Sequence, residues 1–148
     1  MGEWITLDTH YGPVRAWQAT PEGKPRGGLV VIQEIFGANP HIRAVTDDYA
    51  AKGYAVLAPS FFDLAESAPD STEPPELPYD SDGVAAGLAM VDELGVEKAL
   101  EIVRAAGSGR QGRHRRLLLG RQHRPALRPA PGPALGQLLR GPQREVPG

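Results

Sequence analysis

Nine residues, Leu29-Val30-Val31-Ile32-Gln33-Glu34-Ile35-Phe36-Gly37, constrain this chain more than any other stretch: a short apolar run ends almost at once on a carboxylate, and a glycine turn follows. Four apolar residues without polar alternation read as a strand covered on both faces. A carboxylate just after such a run falls at the strand's carboxyl end. That is the edge where open parallel sheets gather their binding and catalytic groups. Glu34 is therefore expected half withdrawn from water, and not as a casual surface charge.

The flanking sequence supplies the rest of a βαβ unit. Asn39-Pro40 breaks the turn, Ile42, Val45, Tyr49 and Ala50 recur at helical spacing to about Lys52, and Gly53 stops the helix. Tyr54-Ala55-Val56-Leu57-Ala58 is a second buried strand, closed by Pro59. A right-handed crossover should join the two strands. Upstream, Trp4–Leu7 and Val14–Trp17 flank a His10-Tyr11-Gly12-Pro13 turn and predict an antiparallel hairpin. From Pro59 to Asp82, prolines and acids predict a loop or lid. A helix follows from about Val84 to Ala106, with apolar residues at Leu88, Val91, Val96, Leu100 and Val103.

The run Val31–Gly37, with Ile42-Arg43, Gly53-Tyr54-Ala55-Val56 and Ala58-Pro59, resembles the dienelactone hydrolases, a branch of the α/β-hydrolase fold. The resemblance covers about residues 3 to 106. It implies an enzyme that opens an enol-lactone or related ester by cysteine attack, with histidine and aspartate completing the triad. Glu34 then matches the glutamate that contacts and helps activate the resting cysteine. The backbone N–H of Ile35 matches one arm of the oxyanion hole, the other coming from the residue after the nucleophile. Relatives that act on dienelactone itself hold its carboxylate with an arginine from the lid-to-helix region. Between Arg43 and Arg104 this chain has no arginine, and its only lysines there are Lys52 and Lys98. A neutral or differently anchored ester or lactone is as compatible as dienelactone.

The chain contains no cysteine, and its character changes near Gly107. Residues 1–106 carry 7 Lys+Arg against 17 Asp+Glu, whereas residues 107–148 carry nine arginines and one acid, Glu145. All nine aromatic residues lie at or before Tyr79. The tail has neither a period of 2 nor one of 3.6 beyond Leu117-Leu118-Leu119, so it cannot line a core. The expectation is an incomplete α/β-hydrolase fold over residues 1–106 and a non-native, Arg/Pro/Gly-rich, irregular or disordered tail over 107–148.

A slip of the reading frame near Gly109 accounts for the switch. With each codon's last two bases joined to the first of the next, synonymous codons exist for which Arg110 to Arg116 reads Gly-Lys-Val-Gly-Ile-Val-Gly. Leu117-Leu118-Leu119-Gly120-Arg121 then reads Tyr-Cys-Trp-Gly-Gly, and Leu138-Leu139-Arg140 reads Tyr-Tyr-Gly. The first two form a buried strand running into Gly-x-Cys-x-Gly, the elbow that mounts the nucleophile in this fold. The codon at Leu118 also admits Ser, Tyr or Phe in that frame, so cysteine there follows from the resemblance. As written, the chain has no thiol, and His114 and His123 fall in the altered tail. Loss of a triad nucleophile alone costs about six orders of magnitude in rate. The chain as written is expected to be inactive.

Other residues take plainer readings. His41, at a helix start, is structural, and Asp63, Glu66 and Asp70 are solvated loop charges. Ser60 lacks a Gly-x-Ser-x-Gly elbow, and Gly107-Ser108-Gly109 lacks the strand and lysine of a phosphate loop. No cofactor or metal cluster is called for. With no leader and no run of eighteen apolar residues, a cytoplasmic protein without membrane partners is expected, acting on a small ester or lactone. The competing class is a non-enzymatic protein whose basic tail binds nucleic acid or anionic surfaces. No stacking aromatic or recognition motif accompanies that tail, so no specific nucleic acid is expected.

Overall fold

Alternation along the first two strands sets the sheet. Ile5, Leu7, Val14 and Ala16 are buried on one face, within β1 (Glu3–Thr9) and β2 (Gly12–Ala19), which pair antiparallel from Glu3 opposite Gln18 to Thr9 opposite Gly12. The computed structural model describes residues 1–108. The chain continues through β3 (Gly28–Val30), α1 (Pro40–Ala51), β4 (Ala55–Pro59), a 3₁₀ turn at Phe61–Leu64 and α2 (Ser81–Gly107). The sheet order is β1-β2-β4-β3; β4 lies antiparallel to β2 and parallel to β3. This mixed α/β sheet is the expected class, with the hairpin and the βαβ unit both in place.

The two helices take opposite faces. Leu29, Val31 and Val56 pack with Ala19 and Ala50 on the α1 side, while Val30 and Leu57 pack with Ile5, Leu7, Ala16 and Ala106 on the α2 side. Successive strand residues thus go to different helices, as the period of two requires. Asn39 caps α1 by accepting from the Ile42 amide at 3.1 Å, and Pro40 occupies the first helical position, where its missing N–H costs nothing. Trp17 donates to Asp47 at 2.8 Å, and the Arg43 guanidinium lies over both Trp4 and Trp17, which docks α1 on the hairpin.

Two expectations are corrected. The first apolar run forms only a three-residue strand, extended by one bond from the Val31 amide to the Leu57 carbonyl, and it is half-buried instead of covered on both sides. Ile32 is 60% exposed. The cause is position: β3 is the edge strand, with β4 its one partner among the described residues. The second correction concerns α2, which starts at Ser81 with Asp80 as its cap. Leu88, Val91, Val96 and Leu100 point outward, while Met90, Leu94, Ile102, Ala105 and Ala106 are buried. Gly83 and Gly87 give the inward face its closest approach to the rest of the molecule. Gly95, at φ 69° and ψ 164°, breaks the helix and resets its phase, so no single periodic stripe describes both halves.

Candidate active site

The loop Gln33–Asn39 leaves the carboxyl end of β3 and is held on three sides. The Gln33 side-chain oxygen accepts from the Phe61 amide at 2.9 Å, tying the loop to the end of β4. The Leu77 amide donates to the Phe36 carbonyl at 3.0 Å, and Gly37 pairs with Glu76, so lid and loop share a short backbone seam. On the third side the Ile35 backbone packs against Gly87 of α2, where any Cβ would collide with the Ile35 carbonyl oxygen. Gly37 itself has φ 91°, and a side chain there would strike the Pro75 carbonyl. Glycine is therefore demanded twice over at this turn.

The Ile35 N–H is among the loop amides that this bracing leaves unused. Among the described residues, the Ile35 N–H donates to no carbonyl and no side chain. A fixed, unclaimed amide at the carboxyl end of a strand is suited to receive a developing oxyanion. Glu34 sits beside it, but exposed, contrary to the expectation that it would be half withdrawn from water. The reason is again the bare outer edge of β3: no strand among the described residues covers that side.

Other sequence candidates separate clearly. Ser60 is fully buried and donates to Asp63 at 3.0 Å, so it is an anchor and not an exposed nucleophile. Asp63 is not a solvated loop charge. Its side chain is 6% exposed and pairs with Arg15 through Nε at 2.9 Å and Nη2 at 2.8 Å, while the Arg15 amide donates to the same carboxylate. Hydrogen bonding to Asp63 raises the Arg15 pKa. Glu66 and Asp70 are exposed as expected, and His41 is exposed on the first turn of α1. The Ser108 amide bonds the Arg104 carbonyl, which makes the Gly107-Ser108 pair a helix end. Leu118, His114 and His123 lie outside the described residues. Among the described residues, no group of three His, Asp or Glu side chains could hold a metal, and no helix is long and apolar enough to cross a membrane.

One residue beside the loop, Tyr79, was missed as a site residue from sequence alone. Tyr79 packs edge-on against Phe36, ring centres 4.5 Å apart, and accepts from the Asn39 side-chain amide at 2.7 Å. Asn39-Pro40 was legible as a break before the helix, but nothing local pointed to the partner of Asn39 forty residues away. Beyond the seam, residues of the lid and α2, including Leu77, Met90, Glu73 and Glu93, line a groove of about 720 Å³. Glu93 accepts from the Ser67 amide and hydroxyl at 2.8 Å each, and these bonds hold its carboxyl below the usual range.

A sequence profile of the dienelactone hydrolase family matches residues 14–106, spanning β2 to the end of α2. The chain belongs to the dienelactone hydrolase family. It is 36% identical over 77 residues to a carboxymethylenebutenolidase-like protein of Synechocystis, covering 52% of this chain and 29% of that one. A similarly described protein of Azospirillum brasilense is 46% identical over 52 residues, covering 34% and 22% of the two chains. This chain thus spans less than a third of the length of these relatives. The solved structure of m3DLH superposes with a TM-score of 0.50 at 23% identity, covering 72% of this chain and 40% of that one, which bears on the fold alone.

Proposed function

We propose that the intact protein hydrolyses an ester or enol-lactone by attack of a cysteine thiolate. In this reading the Ile35 amide stabilises the oxyanion and Glu34 contacts and activates the resting thiol. The observation that carries it is the unclaimed Ile35 N–H, fixed between Gly87, the lid seam and the Gln33–Phe61 bond, next to a carboxylate. A donor held in place before the reaction costs no reorganisation as charge develops, and losing one such donor typically costs about 100- to 1000-fold in turnover. A thiolate attacks the carbonyl carbon, the carbonyl oxygen takes the charge, and collapse expels the alkoxide or enolate. Water then cleaves the acyl-enzyme, with the triad histidine moving the protons.

The nucleophile belongs to the alternative reading frame at position 118, and the chain as written lacks it. Sequencing the gene across codons 105 to 125 tests this: absence of a cysteine codon in the +1 frame at 118 refutes it. The enzyme with its frame restored should cleave a chromogenic ester and lose that activity to a cysteine-directed alkylator. Alkylator-resistant turnover would point to a different nucleophile.

A further inference from the structure

Asn39 fixes the direction of a hydrogen bond beside the loop that carries Ile35. Its side chain is buried, and its Oδ1 accepts the Ile42 amide as the helix cap. The opposite rotamer would set the Nδ2 donor against that N–H, donor facing donor, so Nδ2 must point to Tyr79. The Tyr79 oxygen is therefore the acceptor, and its own hydrogen is directed elsewhere. The ring is braced by Phe36, the residue after Ile35, yet Tyr79 is 65% exposed. The result is a braced phenolic O–H whose proton no described residue takes, beside the loop that carries the Ile35 amide.

The charge around it narrows what that proton can meet. The lid segment 59–82 contains Asp63, Glu66, Asp70, Glu73, Glu76, Asp80 and Asp82 and no lysine or arginine. Two arginines reach the lid and both are engaged, Arg43 by Glu76 and the Ala38 carbonyl and Arg15 by Asp63 and the Ser71 carbonyl. Lys98 donates to the Leu64 carbonyl, fifteen residues before Tyr79 in the lid. Among the described residues, an incoming carboxylate at Tyr79 meets the acids of the lid and cations already engaged there.

We propose that Tyr79 is a specificity-determining residue. It holds an uncharged acceptor on the acyl part of the substrate, such as a ketone or ring oxygen away from the scissile bond, and so selects neutral esters or lactones over carboxylate-bearing ones. This rests on the hydrolase reading above.

Two measurements test it. In the chain as it stands, one Asn39 side-chain amide proton is shifted downfield and exchanges slowly in NMR spectra, and Tyr79→Phe abolishes that signature. Its survival in the variant overturns the assigned direction. In the frame-restored enzyme, p-nitrophenyl levulinate, valerate and hemisuccinate present a ketone, no acceptor and a carboxylate at one position. The expected order of kcat/KM is levulinate, valerate, hemisuccinate. Tyr79→Phe should bring levulinate down to the valerate level, about tenfold, by raising KM at unchanged kcat. An unchanged levulinate-to-valerate ratio, or a preference for hemisuccinate, refutes the role of Tyr79 while leaving the hydrolase standing. Turnover of none of the three refutes the hydrolase reading and this inference with it.

Discussion

Replacing Asp63 with leucine should destabilise the described fold by about 3 kcal/mol. The carboxylate accepts four bonds: from the Arg15 amide, Nε and Nη2, and from the Ser60 hydroxyl. Leucine orphans all four donors, of which Ser60 is fully buried. Removing one partner of a buried ion pair typically costs about 3–5 kcal/mol, because the other charge is left in a poor solvent. The Arg15 side chain keeps 25% of its surface in water, which places the expectation at the low end. Arg15→Met should cost a similar amount, since it strands a carboxylate with only 6% of its surface exposed. The double variant removes both charges and orphans only Ser60 and one amide, for a loss of about 1–2 kcal/mol. A coupling of about 4 kcal/mol follows. Urea unfolding followed by Trp4 and Trp17 fluorescence measures all four proteins, both reporters lying in the hairpin that carries Arg15. The raised Arg15 pKa means the arginine's contribution is complete below the ordinary arginine range and is lost only as pH rises through the still higher folded value. The arginine thus adds no pH dependence to the melts between about pH 5 and 9. Additive losses in the double variant would refute a buried, mutually dependent pair.

Gly87→Val should force Ile35 off α2, moving the Ile35 amide resonance and lowering stability by about 1–3 kcal/mol; an unmoved resonance would mean the loop is not braced there. The Ser67–Glu93 contact should titrate with the carboxylate. A lowered folded-state pKa makes it complete above the ordinary glutamate range and lost as pH falls through the lower folded value, so the Ser67 amide shift should have its midpoint below that of an unperturbed glutamate and vanish in Glu93→Gln. The chain as written should show no hydrolysis of a chromogenic ester above background, and measurable turnover would contradict the assignment of the nucleophile to the other frame.

What local chemistry specifies was legible: the hairpin, the Asn39-Pro40 helix start, the Gly53 stop and the parallel pair β3–β4 follow from alternation, caps and turns. What depends on a neighbour was not. The apolar content of Leu29–Ile32 specified a strand, but its burial depends on the strand beside it. Asp63 read as one more acid in a proline-rich lid because its partner lies 48 residues earlier in the chain. In α2 most of the apolar residues singled out point outward, while Met90, Leu94, Ile102 and small residues make the contacts, and Gly95 displaced the register halfway along. At the site, the motif pointed to Glu34 and Ile35, whereas Tyr79 became visible only when the lid folded back onto Phe36.

The unpaired flank of β3 bears on how such a molecule is made. Translation releases the acid, the amide donor, the lid and both covering helices before the segment beyond α2 emerges. Among the described residues the loop, lid and both helices are thus in place while the outer edge of β3 stands bare. A backbone ladder exposed in this way is the feature a holding chaperone or a protease would seize.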